Sequence, residues 1–346
     1  MANFVRYLKS NYKDMDAHLA TYYADDGAHP DMRTYLYGPL ARYAANGGKR
    51  HRPLIALLAC EAVGGDPRLA LRAAAAVEHF HTAALIHDDI EDGALTRRGE
   101  PCLHVAEGEA LAINAGDLAL SLVTGSVVDD PLLEPALKIR VLSELVDMTT
   151  RTIEGQALDI GWARDERFDL TVEDYLTMAT HKTAHYSGAT PLAIGAIIGG
   201  ANDETVEALR SFGLAVGLAF QIQDDLINLV GDDTSKDFRI DITEGKRTLM
   251  AVHALTHARD ARRLLEILAS ATSEPAILDE AVTIMEEAGS LDYARDYATE
   301  LVIEAKAALD VALPDALPGS SKTSAKASKP KALLLSMADF FIERRA

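Results

Sequence analysis

Apolar residues recur every three to four positions along almost the whole chain of 346 residues, and this spacing constrains the fold more than any other feature. Ala, Leu and Glu dominate these segments, and alternating β-branched runs, which would predict strands, do not occur. The segments are separated by helix-breaking residues, Gly47, Gly64, Pro131 and Gly231. The sequence therefore predicts an all-α protein, folded as a single helical bundle with one shared core.

The predicted helices span residues 3–24, 31–45, 53–63, 67–91, 107–128, 133–157, 171–185, 187–200, 202–230, 246–270, 274–288, 290–311 and 332–345. Residues 314–331, PDALPGSSKTSAKASKPK, break the pattern and predict a flexible linker. The amphipathic segment that follows should pack back on the bundle as the last helix. No boundary is needed elsewhere, so we expect residues 1–346 to form one domain.

Charge and cysteine content exclude several classes of protein. Lys and Arg number 34 against 53 Asp and Glu, a formal net charge of -19, which argues against a nucleic-acid partner. Two cysteines, Cys60 and Cys102, predict neither a disulfide framework nor a zinc site and suit a reducing compartment. The sequence shows no signal-peptide core and no run of about 18 apolar residues. We therefore expect a soluble cytoplasmic protein with no membrane span.

Two apolar helical runs end in paired aspartates. LIHDDIED (85–92) places Asp88 and Asp92 four residues apart on one helix face, where like charges repel, and QIQDDLIN (221–228) places Asp224 in the same way. An isolated acidic cluster is more often a solvated helix end, but both of these follow runs that look buried. Carboxylates on two facing helices suit Mg²⁺, which is usually held by few carboxylates together with substrate phosphates.

Basic groups gather near these acids. GGKRHRP (47–53) combines two glycines, three cations and a helix start, which is typical of an anion site. Arg97 and Arg98 follow the first acidic run, and Lys182 and Lys246 lie near the second. Several cation groups beside Mg²⁺-binding acids indicate more than one polyphosphate in one cavity. Because the approach to the first acids is apolar, the sequence favours prenyl diphosphates as ligands.

Seven blocks, in order, resemble those of the trans-prenyltransferase (polyprenyl diphosphate synthase) family from about residue 47 to the C-terminus: GGKRHRP, VEHFHTAALIHDDIED, RRGEP, NAGD, THKTAHYSG, AFQIQDDLINLVGD and DITEGKRT. The resemblance implies an all-α isoprenoid synthase bundle around a deep central cavity, and a homodimer. It implies a Mg²⁺-dependent head-to-tail condensation of isopentenyl diphosphate with allylic prenyl diphosphates, with about three Mg²⁺ ions per active site. The likeness is strongest to geranylgeranyl diphosphate synthases.

The resemblance also implies roles for individual residues. The metal ligands are Asp88, Asp92 and Asp224, which with Lys182 form the catalytic set. The isopentenyl diphosphate site comprises Lys49, Arg52, His81 and Arg98. The allylic diphosphate site comprises Arg97, Lys182, Thr183, Gln221, Lys236 and Lys246. The chain departs from the family at Asn228, where many members have a third aspartate, so a direct metal contact there is in doubt.

Small residues before the first acidic motif bear on product length. Ala83 and Ala84 occupy the positions where farnesyl diphosphate synthases usually have an aromatic floor, and Phe80 lies a further helical turn back. Because an isoprene unit takes roughly one 5.4 Å turn, we expect a C20 product, with C25 or longer, or C15, as alternatives.

Two other functions stay open. A class I terpene cyclase shares an acidic motif and a helical fold, but DDLINLVGD does not supply its NDxxSxxxE-like second motif, and GGKRHRP would have little use there. A non-catalytic subunit of a heteromeric synthase would lose site residues, whereas nearly all are present.

Overall fold

The computed structural model describes residues 2–24, 27, 29–231, 239–313 and 324–343. Over these residues the chain is helical apart from its connections and one ribbon of two short antiparallel strands. The predicted all-α fold is therefore confirmed.

The α-helices in chain order are α1 (Ala2–Ala20), α2 (Pro30–Met32), α3 (Gly38–Ala45), α4 (His51–Ala62), α5 (Leu71–Glu91), α6 (Leu103–Glu107), α7 (Glu109–Val128), α8 (Pro135–Arg164), α9 (Val172–Ala179), α10 (Thr190–Ile198), α11 (Asp203–Val230), α12 (Ile240–Thr243), α13 (Leu249–His257), α14 (Ala261–Ala269), α15 (Pro275–Glu287), α16 (Ser290–Ala312) and α17 (Ser324–Glu343). Short 3-10 helices span Thr21–Tyr23 and Pro67–Ala70, π-helices span Arg33–Tyr37 and Thr180–Ala189, and the strands are β1 (Thr96–Arg97) and β2 (Glu100–Pro101).

Helix α5 lies in the middle of the bundle, packed against α4 and α7. Its alanines from Ala73 to Ala76 are fully buried, because side chains this small let neighbouring helices approach closely. Burial continues around the helix to Phe80 and Ile86 near its end. The last turn of α5, which carries the first acidic motif, is therefore held by a rigid core.

Helix α11 packs against α16 and against the π-helix Thr180–Ala189. The contact with the π-helix is backbone to backbone: a Cβ atom added to Gly188 would lie 2.1 Å from the carbonyl oxygen of Gly213. Only glycine permits this approach. It fixes the distance between the second acidic motif, on α11, and the residues of the π-helix.

Several predicted helix boundaries differ from the structure. The segment 246–270 forms two helices, α13 and α14, because Ala258 adopts an extended backbone and the chain turns there. The turn lets α14 bury Leu264 against its neighbours. Helix α8 continues to Arg164, beyond the predicted end at residue 157.

The C-terminal helix begins earlier than expected. Helix α17 starts at Ser324, inside the segment 314–331 for which we predict a flexible linker, and residues 314–323 lie outside the described residues. Phe341 of α17 is fully buried, and its ring packs 4.7 Å from that of Phe220. The last helix thus packs back on the bundle, as its amphipathic sequence predicts.

Helix α7 differs from the expectation that no segment could span a membrane. By length and composition alone it is long and apolar enough to do so. In the structure it is a bundle helix, since Ala112, Ala115 and Ala119 are fully buried and it packs along α5.

We expect Gly188→Ala to lower the free energy of unfolding by about 1–3 kcal/mol, because a methyl group forces α11 and the π-helix apart. Gly161→Ala is the matched control: it lies in a helix, its added Cβ meets no atom within 4 Å, and it should be neutral or slightly stabilising. Denaturant unfolding of both variants checks this. Equal stability of the two would contradict the close approach.

Candidate active site

A cavity of about 1020 Å³ runs along one face of α5, between α8, α11 and the π-helix Thr180–Ala189. Phe80, Ala84, Asp88 and Asp92 all line it, because residues four apart share a helix face. The cavity therefore has an apolar channel beside the earlier turns of α5 and an acidic end beside its last turn. Its size suits a small-molecule site.

The carboxylates of the first acidic motif point in two directions, some into the cavity and one into the core. Asp88 and Asp92 face the cavity, where Asp88 accepts a hydrogen bond of 3.2 Å from Nε2 of Gln156. Partial burial, together with the charge of Asp88, raises the pKa of Asp92 to about 6. Asp89 is buried away from the cavity and accepts hydrogen bonds from Tyr43 and Arg97.

The second acidic motif faces the first across the cavity. Asp224 and Asn228 line the wall formed by α11, and Asp225, which borders the cavity between them, is largely buried. Burial and the charge of Asp241 raise the pKa of Asp225. The side-chain oxygen of Asn228 accepts from the backbone N–H of Asp241 at 3.2 Å, so this position supports the start of α12.

The donor set fits Mg²⁺ shared with a phosphorylated ligand. Among the described residues, no three His, Cys, Asp or Glu side chains are grouped closely enough to hold an ion by themselves. The carboxylates that face the cavity, Asp88, Asp92 and Asp224, are hard oxygen donors on two opposite walls. Mg²⁺ that is coordinated by one or two carboxylates, waters and phosphate oxygens is the typical arrangement for such a set.

Cations of the expected allylic site line the same cavity and pair with acids. Nζ of Lys182 lies 2.5 Å from Asp159, and Nζ of Lys246 lies 2.9 Å from Glu244. Burial opposes the charge of Lys246, but Asp241 and Glu244 outweigh it and raise its pKa. Both lysines therefore carry full positive charge at the acidic end of the cavity.

The remaining residues of the expected allylic site are placed as follows. Thr183 donates a 2.6 Å hydrogen bond to Oε1 of Gln221, and both line the cavity. Arg97 lies 3.5 Å from Asp88 and also lines it. Lys236 lies outside the described residues.

The expected isopentenyl diphosphate residues are only partly brought together. Arg98 lines the central cavity and, with His81, a second cavity of about 10 Å³ beside it. Arg52 does not line the central cavity; it donates to Ser187 at 3.1 Å and to Tyr186 at 3.0 Å. Lys49 is exposed, with Nζ 5.9 Å from the ring centre of Phe340.

The glycine-rich loop is held by Arg50, one of the three cations of GGKRHRP, which has a structural role here. Arg50, with the left-handed φ of 48°, is buried and donates to Asp16 and Glu78, each at 2.6 Å, and to the carbonyl of Ala44. Arg98 ties the same loop to the β1–β2 ribbon through the carbonyls of Asn46 and Gly47. The loop is thus fixed at the edge of the cavity by charge pairs within the core.

The cavity is also lined by residues that the sequence does not predict, among them Gln156, Asp159 and Tyr186. Tyr186 belongs to the π-helix and lies at the break between the predicted helices 171–185 and 187–200. The centre of its ring is 5.7 Å from that of Phe80 and 4.5 Å from the guanidinium of Arg52. Gly155 lets α8 lie directly against the π-helix, since a Cβ atom there would lie 2.2 Å from the backbone nitrogen of Lys182. The GQALDIGW segment (155–162) was the available signal.

The structure corrects one residue of the expected chain-length pocket. Phe80 and Ala84 line the cavity, but Ala83 does not; it is fully buried in the core. One residue from Ala84, its side chain points about 100° around the helix, away from the cavity.

Helical bundles with a cavity of this kind form the class of isoprenoid synthases. A family model described as polyprenyl synthetase matches residues 33–285. A short chain isoprenyl diphosphate synthase of Methanothermobacter thermautotrophicus is 45% identical over 72% of this chain and 75% of that protein. A geranylfarnesyl diphosphate synthase of Natronomonas pharaonis is 39% identical over 72% of this chain and 76% of that protein.

Solved structures agree with these relatives. The crystal structure of geranylgeranyl pyrophosphate synthetase from Pyrococcus horikoshii matches with a TM-score of 0.86 and 34% identity, over 99% of this chain and 98% of that one. The chain belongs to the polyprenyl synthetase family, and it is a prenyltransferase.

We expect Arg50→Met to destabilise the fold by about 3–5 kcal/mol, because it leaves the buried carboxylate of Glu78 without its partner. The double variant Arg50→Met/Glu78→Leu should recover part of this loss. Arg68→Met is the control, since its pair with Asp66 is exposed and its loss should leave the stability almost unchanged. Denaturant unfolding measures all three, and similar losses for Arg50→Met and Arg68→Met would refute the assignment.

Proposed function

We propose that the protein joins isopentenyl diphosphate head-to-tail to allylic prenyl diphosphates in a Mg²⁺-dependent reaction, with C20 geranylgeranyl diphosphate as its main product. One observation carries this: a single cavity joins two acidic walls and several cations to an apolar channel that passes Ala84 and reaches Phe80. The Pyrococcus structure named for the C20 product supports this length, and the Natronomonas relative named for the C25 product keeps C25 as the alternative.

In this proposal Asp88, Asp92 and Asp224 hold Mg²⁺, and the family leads us to expect about three ions. The metal supplies Lewis-acid stabilisation of the negative charge that develops on the leaving diphosphate. The protein's own cations, Arg97 and Lys182 among them, bind the same diphosphate and orient its C1–O bond towards the second substrate.

Breaking the C1–O bond leaves an allylic cation. The double bond of isopentenyl diphosphate, held on the Arg52 and Arg98 side, attacks this cation. The departed diphosphate accepts the proton that the product loses, and the new chain is complete. The side-chain oxygens of Thr183 and Gln221 lie at the polar end of the channel, where their dipoles can stabilise the cation. The apolar lining keeps out water, which would quench it.

Phe80 is suited to serve as the floor of the channel. Its ring is 3% exposed and packs edge-on against Tyr186, with 5.7 Å between ring centres. Ala84, four residues later on the same face, leaves one turn of the channel open, about the length of one isoprene unit.

Product length tests the floor directly. Ala84→Phe should shorten the main product towards C15, since it fills the channel one turn above Phe80. Phe80→Ala should lengthen it beyond C20, since it removes the floor. Mass spectrometry of the dephosphorylated alcohols gives the lengths, and Ala83→Val, on the core side of α5, is the control expected to leave length unchanged. If both channel variants make the wild-type product, the floor lies elsewhere.

The activity itself is tested by incubating the purified chain with isopentenyl diphosphate and C5, C10 or C15 allylic diphosphates, with Mg²⁺ or with a chelator. A C20 alcohol that appears only with Mg²⁺ supports the proposal. A cyclic hydrocarbon from an allylic diphosphate alone would indicate a terpene cyclase. No turnover by a folded protein would indicate a non-catalytic subunit.

We also propose that the protein is a homodimer that pairs through α8. Ile139, Val146, Ile153 and Ile160 recur every seven residues on this helix and are 69%, 56%, 58% and 42% exposed. Seven residues are close to two helical turns, so the four form one apolar stripe, which is costly to leave in water. Ile153 and Ile160 also line the central cavity, so the stripe runs up to the edge of the site. A second copy with the same stripe would cover it about a two-fold axis.

Val146→Asp should convert the dimer to a monomer, because it places a charge in the middle of the stripe. Val311→Asp on α16 is the matched control, since Val311 is 86% exposed but lies outside the stripe. Size-exclusion chromatography with light scattering gives the mass of each. A dimeric Val146→Asp variant would place the interface on another face.

We further propose a cytoplasmic location and no nucleic-acid partner. The buried, unpaired Cys60 and Cys102 suit a reducing compartment, and the net charge of -19 repels phosphate backbones.

A further inference from the structure

The two acidic motifs share a construction that their metal-binding role does not explain. In each, the first aspartate faces the cavity and the second is buried: Asp89, at 1% exposure, lies behind the cavity wall, and Asp225, at 7% exposure, only borders the cavity. A buried carboxylate must be fully hydrogen-bonded, because its desolvation is otherwise uncompensated.

Both buried aspartates accept hydrogen bonds in the same pattern. Oδ2 of Asp89 accepts from the hydroxyl of Tyr43 at 2.6 Å, and its Oδ1 accepts from Nε of Arg97 at 2.5 Å. Oδ2 of Asp225 accepts from the hydroxyl of Tyr175 at 2.8 Å, and its Oδ1 accepts from Nε2 of Gln221 at 2.7 Å. In each motif one oxygen is held by a tyrosine, and the other holds a residue that lines the cavity.

The tyrosines come from elements that carry no acidic motif. Tyr43 lies on α3 and Tyr175 on α9, 46 and 50 residues from the aspartates that they contact. Burial and the neighbouring carboxylates raise the pKa of both phenols, so both hydroxyls stay protonated donors.

The arrangement around Gln221 fixes the direction of its amide. Its two hydrogen bonds run in opposite directions: Nε2 of Gln221 donates to Oδ1 of Asp225 at 2.7 Å, which places the NH₂ group on the Asp225 side. Its carbonyl oxygen then accepts from Thr183 and lies at the cavity. A reversed amide would present its positive edge to a developing cation instead.

The arrangement around Arg97 fixes a guanidinium in the same way. Nε is bound to Asp89, so the two terminal nitrogens point onward, with one 3.5 Å from Asp88. These terminal groups form the fork that binds phosphate oxygens.

We propose that Tyr43 and Tyr175 are paired positioning residues: through Asp89, Tyr43 aims Arg97 at the allylic diphosphate, and through Asp225, Tyr175 aims the Gln221 carbonyl at the allylic cation. This inference rests on the proposed function, since it concerns the same reaction. It separates the roles of the two tyrosines, because one acts on substrate binding and the other on the chemical step.

The hydroxyls are removed by Tyr43→Phe and Tyr175→Phe, which keep the rings. Tyr43→Phe should raise KM for the allylic diphosphate about 10-fold and change kcat little, since Arg97 contacts the diphosphate before the reaction. Tyr175→Phe should lower kcat about 10-fold with both KM values nearly unchanged. Tyr7→Phe is the control: its hydroxyl donates to the Leu54 carbonyl at 3.2 Å, outside the cavity, and it should leave both parameters unchanged.

A merely structural role is excluded by double variants. In a Gln221→Ala background, Tyr175→Phe should have no further effect on kcat, and in an Arg97→Gln background, Tyr43→Phe should have no further effect on the allylic KM. The proposal is overturned if the tyrosine substitutions still change kcat or the allylic KM by the same factor in these backgrounds. It is also overturned if the single variants have wild-type kinetics.

If the wild type gives no condensation, the proposed function fails first. Calorimetric binding of a non-reactive allylic thiodiphosphate then still tests the Tyr43–Asp89–Arg97 chain, with weaker binding by Tyr43→Phe expected and equal binding overturning it.

Discussion

Repulsion between carboxylates that face one cavity is the constraint on which the rest of this structure depends. Asp88, Asp92 and Asp224 lie on two walls, and burial together with the charge of Asp88 raises the pKa of Asp92. A fold tolerates such crowding when it has a rigid frame and a cationic partner. The alanine-rich α5 and the glycine contact between α11 and the π-helix supply the frame, and a metal–diphosphate complex is the partner that the geometry fits.

The same constraint explains how the rest of the site is arranged. The lysines of the cavity pair with Asp159 and Glu244, so positive charge is already in place at the acidic end. The apolar lining of the channel begins within one helical turn of Asp88, so a ligand must be anionic at one end and apolar at the other. A prenyl diphosphate meets both requirements, and two groups of cations suit two such substrates.

Local spacing made part of this site predictable from the sequence. The face shared by Asp88 and Asp92 follows from helix periodicity, and the family resemblance assigned Lys182 and Gln221 to the cavity they line. The partners of Arg50, Asp89 and Asp225 were not predictable, because Asp16, Tyr43 and Tyr175 are distant in the chain. The sequence assigns both Ala83 and Ala84 to the channel, but adjacent residues of a helix point about 100° apart, and in the structure only Ala84 faces the cavity. The π-helix was missed because its sequence also suits an α-helix.

If this arrangement is right, the two acidic walls bind a diphosphate only together with Mg²⁺. Calorimetric titration of inorganic pyrophosphate into the full chain, with Mg²⁺ or with a chelator, measures this dependence. We expect tight binding with Mg²⁺, much weaker binding without it, and loss of the Mg²⁺-dependent part in Asp224→Asn. Equal affinity with and without Mg²⁺ would instead show that the cations alone hold the diphosphate.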